Sequence, residues 1–147
     1  MNARSKVKNS NRIVVKVGTS TLTYENGKIN LTRIEKLTRV LSDVMNSGKE
    51  VILVTSGAIG VGVSKLKLKE KPKTIREKQA VAAVGQCELM HIYSKFFGEY
   101  SHTVGQVLLT RDVVEDSHIR ENVCNTFETL IESGIIPIVN ENDTVAI

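Results

Sequence analysis

The chain has 147 residues, of which 41% are hydrophobic and 24% are charged, and its formal net charge is +4. This length and composition are typical of a single soluble globular domain. No apolar run approaches the roughly 20 residues that cross a bilayer, and the run after the basic start is broken by Lys16 and is too short for a signal-peptide core. We therefore expect a cytoplasmic protein that has no membrane partner.

Most of the positive charge lies in one segment, KLKLKEKPKTIREK at residues 65–78, which holds seven Lys or Arg and two Glu. Its net charge is +5, so the rest of the chain sums to −1. Because the segment has no aromatic side chain to stack on a base, we interpret it as a solvated basic loop. A lid near an anionic ligand is the second interpretation. A nucleic-acid surface is the third, so we expect no nucleic-acid partner.

The two cysteines and three histidines form no metal-binding pattern. Cys87 and Cys124 lie far apart, with no second Cys or His at zinc-finger spacing, so we expect a buried, reduced pair. His91, His102 and His118 are scattered and predict no metal site built on histidine.

Four apolar runs rich in Val and Ile predict β-strands. They are RIVVKV (12–17), EVILVT (50–55), TVGQVLLT (103–110) and IIPIVN (135–140). The runs do not alternate with polar residues, as expected for strands that are covered on both faces. Pro137 would interrupt a central strand, so we place it at a strand start or at a bulge.

Helical patterns fall between the strands. Asn30 is the predicted N-cap of a first helix that ends at Gly48. Thr74 and Glu77 form a capping-box pair that begins a long second helix. A third helix is predicted at roughly 116–133.

The alternation of strands and helices predicts an α/β fold with a largely parallel sheet and helices on both faces. In such a sheet the ligand site lies beyond the carboxyl ends of the strands. Many small residues in the second helix indicate close helix packing, and Gly85 marks a candidate interruption of that helix.

The first strand is followed by Gly18 and Thr19, and it carries Lys16 in an otherwise apolar run. One interpretation is a lysine that guards an edge strand against aggregation. The other is a cation aimed at a phosphate, beside a glycine turn whose N–H groups can approach closely. The residues alone favour neither interpretation.

The second strand is followed by TSGAIGVG, whose glycines match neither the dinucleotide fingerprint nor a Walker A loop. The pattern predicts a Ser-Gly turn and a helix start, whose unpaired N–H groups suit a carboxylate or phosphate. The alternative is a tight turn in which Ser56 only caps the helix.

The third strand is followed by TRDVVEDS, which we interpret as a solvated loop with no site. The fourth is followed by NENDTV, which has more hydrogen-bonding groups than one Asx turn uses. A cation, an anion-binding helix start and an acidic loop at one sheet edge suit phosphoryl transfer. In that scheme Lys16 stabilises the transferring phosphoryl, Ser56 and the Gly57 N–H hold an acidic acceptor, and Asp143 pairs with a cationic group.

Five motifs carry a resemblance to a known family: KVGTST, VTSGAIGVG, KQAVAAVGQ, QVLLTRDV and NENDTV. In order and spacing they resemble the glutamate 5-kinases of the amino acid kinase family, from about Arg12 to the last residue. The resemblance implies a three-layer α/β/α sandwich and transfer of the ATP γ-phosphoryl group to the γ-carboxylate of L-glutamate, the first step of proline synthesis. It implies Mg²⁺ with ATP, homo-oligomers and feedback inhibition by proline.

The resemblance also assigns residues by position. The phosphate-binding residues are Lys16, which is also catalytic, Gly18 and Thr19. The glutamate-binding residues are Ser56, Gly57, Asn140 and Asp143. No protein metal ligand is assigned.

Members of the family continue well beyond the point where this sequence ends, and that part holds most of the nucleotide pocket. We therefore expect residues 12–147 to be the acceptor-binding half of a truncated kinase domain, preceded by a basic tail at residues 1–11. Such a half would have an unpaired sheet edge and no activity alone. The alternatives are an aspartate, acetylglutamate or uridylate kinase, or a catalytically dead module that binds glutamate or proline.

Overall fold

The computed structural model describes residues 2–146. In that range the strands are β1 (Arg12–Lys16), β2 (Glu50–Val54), β3 (Val104–Leu109) and β4 (Ile136–Glu141). The helices are α1 (Ala3–Asn9), α2 (Thr19–Leu22), α3 (Leu31–Asn46), α4 (Ala58–Lys65), α5 (Ile75–Glu99), α6 (Asp112–Glu115) and α7 (Ser117–Glu132). Helix α1 lies within the segment that was expected to be a basic tail.

The four strands form one parallel sheet in the order β1-β2-β4-β3. Each predicted strand is confirmed, with its ends shifted by one residue at most. Because parallel strands run in one direction, their carboxyl ends all lie along the same edge of the sheet. This edge is where the sequence predicts the functional site.

Helices cover both faces of the sheet, which confirms the predicted sandwich. On one face, Val51, Leu53 and Ile138 belong to the main core, where side chains of α3, α4 and α5 pack against them. On the other face, Leu130 of α7 lies 3.1 Å from the position that a side chain at Gly105 would take.

The β1 strand is an edge of the sheet in the described residues and is only partly covered. Val14, in the middle of β1, is 61% exposed. Arg12 ties the start of β1 to its surroundings, through Glu50 of β2 at 2.7 Å and Glu128 of α7 at 2.8 Å. Within residues 2–146, β2 is the one strand that pairs with β1.

The helix caps predicted from local sequence are confirmed. The Asn30 side chain accepts a hydrogen bond from the Arg33 N–H at 3.1 Å, at the start of α3. Thr74 and Glu77 make both hydrogen bonds of a capping box at the start of α5. The third predicted helix is α7, and a short helix that was not predicted, α6, precedes it.

Pro137 lies at the start of β4, as predicted, although β4 is a central strand. The preceding N–H, of Ile136, donates to Thr103 on the β3 side at 2.9 Å, so the proline nitrogen faces β2. Because β2 pairs with β4 only from Ile138 onwards, the missing N–H removes no bond of the ladder.

The predicted interruption of the long helix at Gly85 is wrong, because α5 runs unbroken from Ile75 to Glu99. Gly85 instead lies against the first turn of α4. A side-chain carbon at this position would fall 1.6 Å from the carbonyl oxygen of Ala58. Gly62 of α4 makes the reciprocal approach, since its side-chain carbon would fall 2.2 Å from the carbonyl oxygen of Val81.

The predicted burial of the two cysteines is also wrong. Cys87 and Cys124 are both free and exposed. Cys87 directly follows the buried Gln86 on α5, and one residue turns the helix by about 100°, so its side chain points away from the core.

The basic segment between α4 and α5 is a solvated loop, as predicted. Its side chains at residues 66–74 are exposed, except for the half-buried Pro72. Lys73 forms an exposed ion pair with Glu70 at 2.7 Å. The last residues of the basic segment form the first turn of α5.

Substitution of Gly85 tests the contact between α4 and α5. Gly85→Ala should lower the free energy of unfolding by about 3 kcal/mol, because the obstructing atom is backbone and cannot rotate away. Gly98→Ala is the matched control on the same helix, since a side-chain carbon there meets nothing within 4 Å. The control should be neutral or stabilise by up to about 1 kcal/mol. Urea unfolding followed by circular dichroism measures both, and equal midpoints would contradict the close contact.

Candidate active site at the carboxyl edge of the sheet

The carboxyl edge brings together the polar segments that follow β1, β2 and β4. Hydrogen bonds extend the strand pairing into these segments. The Val17 N–H donates to the carbonyl oxygen of Val54, and the Thr55 N–H donates to that of Val139, both at 2.8 Å. Because β2 lies between β1 and β4, the turn after β2 is at the centre of the row.

The central turn, residues 55–57 after β2, is held by a buried pair of hydroxyl groups. Thr55 is buried, and its Oγ1 lies 2.8 Å from the Tyr93 hydroxyl of α5. Burial raises the pKa of Tyr93 to about 12, so this hydroxyl stays neutral and available as a partner. Gly57 follows with a φ of +96°, a conformation that glycine adopts without strain, and it is the N-cap of α4. The turn is therefore held by a hydrogen bond on its buried side.

Ser56 is not the helix cap, so the alternative in which it only caps the helix is wrong. No side chain caps α4. The Ser56 Oγ lies 3.4 Å from the Val17 carbonyl oxygen and 3.5 Å from the Thr19 Oγ1. Thr19 also contacts the central turn, since a side-chain carbon at Gly57 would fall 3.2 Å from its Oγ1. The structure thus brings Ser56, Gly57 and Thr19 together.

Lys16 and Gly18 lie at the β1 end of the row. Lys16 is exposed at the end of β1, and its side chain has no ion-pair partner within residues 2–146. Gly18 precedes α2, and the space where its side chain would extend is open, with no atom within 4 Å. An open backbone beside an unpaired ammonium group leaves room for an anion to approach both.

Asn140, at the β4 end of the row, points into the protein. It is 5% exposed, and its Nδ2 donates a hydrogen bond of 2.8 Å to the Gln86 Oε1. Its Oδ1 accepts a hydrogen bond of 3.0 Å from the Glu141 N–H. Much of its hydrogen-bonding capacity is therefore used internally.

Asp143 is a half-buried carboxylate with no ion-pair partner in the described part of the chain. Burial and, to a lesser degree, the nearby charge of Glu141 raise its pKa above the ordinary aspartate value. A carboxylate that is desolvated beside a second carboxylate favours the arrival of a cation. The loop is closed by the Asp143 N–H, which donates to the Glu141 carbonyl oxygen at 3.0 Å.

The loop after β3 also reaches this edge. Arg111 pairs with Glu115 at 2.9 Å and is largely exposed, which agrees with the predicted solvated loop. Arg111 also lines an apolar cleft of about 280 Å³ on the face opposite the main core, together with Val54, Val139 and Glu141. The edge of the sheet is therefore open to a ligand or polypeptide from that side.

The arrangement has two chemical capabilities. Hydroxyl groups and the free N–H groups of the first turn of α4 can donate to an anion at the centre. A carboxylate at one end and an ammonium group at the other can bind a cation and a second anion. Within residues 2–146, no group of three or more His, Cys, Asp or Glu side chains is placed to hold one metal ion.

Comparison with known proteins identifies the family. A family model described as the amino acid kinase family matches residues 11–147. The chain belongs to the amino acid kinase family.

Curated relatives in the amino acid kinase family include several glutamate 5-kinases. The chain is 74% identical to the one from Clostridium perfringens over 144 residues, which are 98% of this chain and 54% of the relative. It is 69% identical to the one from Listeria innocua, over 98% of this chain and 52% of the relative. It is 62% identical to the one from Enterococcus faecalis, over 98% of this chain and 53% of the relative. The chain thus spans about half the length of the curated relatives it matches.

Solved structures confirm the amino acid kinase-like fold. The UMP kinase from Ureaplasma parvum matches with a TM-score of 0.58 and 14% identity, over 88% of this chain and 55% of that one. The isopentenyl phosphate kinase from T. acidophilum matches with a TM-score of 0.57 and 15% identity, over 88% and 54%. At these identities the likeness concerns the fold alone.

Gln86, which bonds to Asn140 at this edge, was not among the residues predicted from the sequence. Gln86 lies on the buried face of α5 with Ala82, Gly85 and Leu89. A polar residue on an otherwise small and apolar helix face needs a buried partner, and that was the available signal. Its partner, Asn140, is 54 positions away, so the pair required the tertiary structure.

Within the described residues, no helix of this amino acid kinase chain has the length and apolar character needed to cross a membrane.

The raised pKa of Asp143 predicts a pH-dependent cost in stability. The folded state holds the Asp143 proton more tightly than the unfolded state, so protonation of Asp143 adds to the free energy of unfolding. This contribution is complete below the pKa of the unfolded state and is lost as pH rises through the pKa of the folded state. Asp143→Asn cannot ionise and should raise the thermal midpoint at pH 7 by about 1–2 °C, with no gain near pH 3.

Thermal unfolding of Asp143→Asn across pH checks this expectation. Glu25→Gln is the control, because Glu25 is an exposed carboxylate outside the helices and strands and has no ion-pair partner in residues 2–146. A gain that is the same at both pH values, or that the control shares, would show that Asp143 carries no ionisation cost.

Proposed function

We propose that this chain forms the acceptor-binding half of an enzyme that phosphorylates the γ-carboxylate of L-glutamate with ATP. The observation that carries the proposal is the convergence of the Ser56 turn and the Asp143 loop at one edge of the sheet. The identity of 74% to the Clostridium perfringens glutamate 5-kinase supports it. We also propose that residues 1–11 are a basic tail and that residues 12–147 are the acceptor-binding half.

The charges of the site are complementary to those of L-glutamate. The Ser56 hydroxyl and the N–H groups at the Gly57 turn donate to a carboxylate, for which the positive end of α4 adds favourable potential. The Asp143 carboxylate pairs with the α-ammonium group, which compensates for its partial desolvation. In this role Asn140 acts from inside the protein and orders the loop.

The residues present fit the phosphate end of ATP. Within residues 2–146 the Lys16 ammonium group has no ion-pair partner, and the open space at Gly18, next to Thr19, admits a phosphate oxygen. When bound, ATP supplies the phosphoryl group, and Mg²⁺ reduces the charge on its phosphate oxygens. Lys16 stabilises the negative charge of the phosphoryl group during transfer, and Ser56 keeps the acceptor carboxylate in line.

The same proposal implies the cellular setting. The product would be γ-glutamyl phosphate, an acyl phosphate that commits glutamate to proline synthesis in the cytoplasm. Proline as a feedback inhibitor and assembly into homo-oligomers are further parts of the proposal, and the family resemblance alone supports them.

A chimeric enzyme tests the proposed acceptor. In it, this chain replaces the matched residues of the Clostridium perfringens relative, whose remaining half stays unchanged. ATP-dependent acyl phosphate formation, trapped with hydroxylamine, should be strong with L-glutamate and weak with aspartate, acetylglutamate or UMP. A preference for one of the other acceptors would assign the chain to a different kinase. No turnover from a folded chimera would favour a binding module.

Two substitutions in the chimera separate the assigned roles. Lys16→Ala should lower kcat by about 100-fold or more and change the KM for glutamate by less than about threefold, because its contact strengthens in the transition state. Asp143→Ala should raise the KM for glutamate by about tenfold or more, because it removes the partner of the ammonium group. Steady-state kinetics measures both, and exchanged phenotypes would refute the assignment. Lys36→Ala, an exposed lysine of α3, serves as the control.

A further inference from the structure

Gln86 is a buried polar residue of α5 that connects this helix to two strands of the sheet. The residue is 8% exposed. Its Oε1 accepts the hydrogen bond from the Asn140 Nδ2 at 2.8 Å, and its Nε2 donates to the Gln106 Oε1 of β3 at 3.2 Å. The connection is made where β4 ends and the acidic loop, residues 141–144, begins.

The hydrogen bonds of this network run in one direction. The Glu141 N–H donates to Asn140, Asn140 donates to Gln86, and Gln86 donates to Gln106. Turning over the Asn140 amide would place its NH₂ group against the Glu141 N–H and its oxygen against the Gln86 oxygen. With Gln86 in its observed orientation both contacts would be repulsive, the first partly buried and the second buried, so the network holds Asn140 in one orientation.

Gln86 also lies beside the acidic loop. A cavity of about 10 Å³ is lined by the loop residues 141–144 together with Ala58, Ala82, Gln86 and Leu108. Such a volume holds no more than about one water molecule, so little space separates the loop from this part of the protein.

We propose that Gln86 is a positioning residue, which orients Asn140 and thereby fixes the acidic loop that carries Asp143. For its effect on glutamate binding, this inference rests on the proposed function. A purely structural role predicts only a loss of global stability. A positioning role predicts a local change at Glu141 and Asp143 that exceeds the global change.

Amide hydrogen exchange in the 147-residue chain tests the proposal without any ligand. Gln86→Met keeps the volume and removes both hydrogen bonds. We expect the Glu141 amide to exchange at least about tenfold faster relative to the core amides, and the titration of Asp143 to move toward the ordinary aspartate value. Gln86→Asn, which is too short to reach Asn140, gives the same readout if the Met variant does not fold.

Three variants make the test specific. Gln86→Glu keeps the oxygen that accepts from Asn140 and should preserve the slow exchange at Glu141. Gln106→Ala removes only the exposed end of the network and should preserve it as well. Val51→Ala removes core volume at the opposite end of the sheet and should lower global stability without a selective change at Glu141.

Titration calorimetry with L-glutamate adds the functional readout. Gln86→Met should weaken binding to the 147-residue chain about tenfold, and Gln86→Glu should weaken it less. If the unsubstituted chain does not bind glutamate, the proposed function fails while hydrogen exchange still decides the role of Gln86. Wild-type exchange at Glu141 in Gln86→Met, or the same selective loss in Val51→Ala, would overturn the positioning role.

Discussion

The close contact between α4 and α5 is the constraint on which the rest of the site depends. Gly85 lets the backbone of α5 lie against the carbonyl oxygen of Ala58, the first residue of α4. This approach fixes the start of α4, and with it the turn that carries Ser56. The same stretch of α5 places Gln86 under Asn140, so one helix contact positions two of the three segments of the site.

The elements with local signals could be predicted from the sequence. Apolar runs gave the strands to within one residue, and the cap of Asn30 and the capping box of Thr74 depend on neighbours three residues away. The ends of parallel strands meet at one edge, so the location of the site could also be predicted.

Features that depend on distant contacts could not be predicted. A glycine in a helix is ambiguous until its neighbour is known, and only the approach of α4 shows why Gly85 is glycine. The family resemblance places Asn140 at the ligand, and nothing in NENDTV indicates that its amide also bonds to Gln86 and to the Glu141 N–H inside the protein. The exposure of Cys87 depends on which face of α5 is buried, which composition does not reveal.

The Asp143 carboxylate carries a cost in stability that a purely structural edge would avoid, because it is partly desolvated beside Glu141. At the other end of the row, Lys16 is exposed and has no ion-pair partner in residues 2–146. The two opposite charges lie at the two ends of a row, and the turn at the centre can donate hydrogen bonds to an anion. This arrangement is complementary to a zwitterionic acceptor and a phosphate.

As the central claim, we propose that this chain holds a site for L-glutamate at the carboxyl edge of its sheet. Titration of the isotope-labelled 147-residue chain with L-glutamate, followed by NMR amide shifts, tests the claim most directly. We predict saturable shifts at Gly57, at Ala58 and in residues 140–144, with none in the basic loop at 66–74 and far weaker ones with D-glutamate. Shifts confined to the basic loop, or equal shifts with both enantiomers, would contradict the claim.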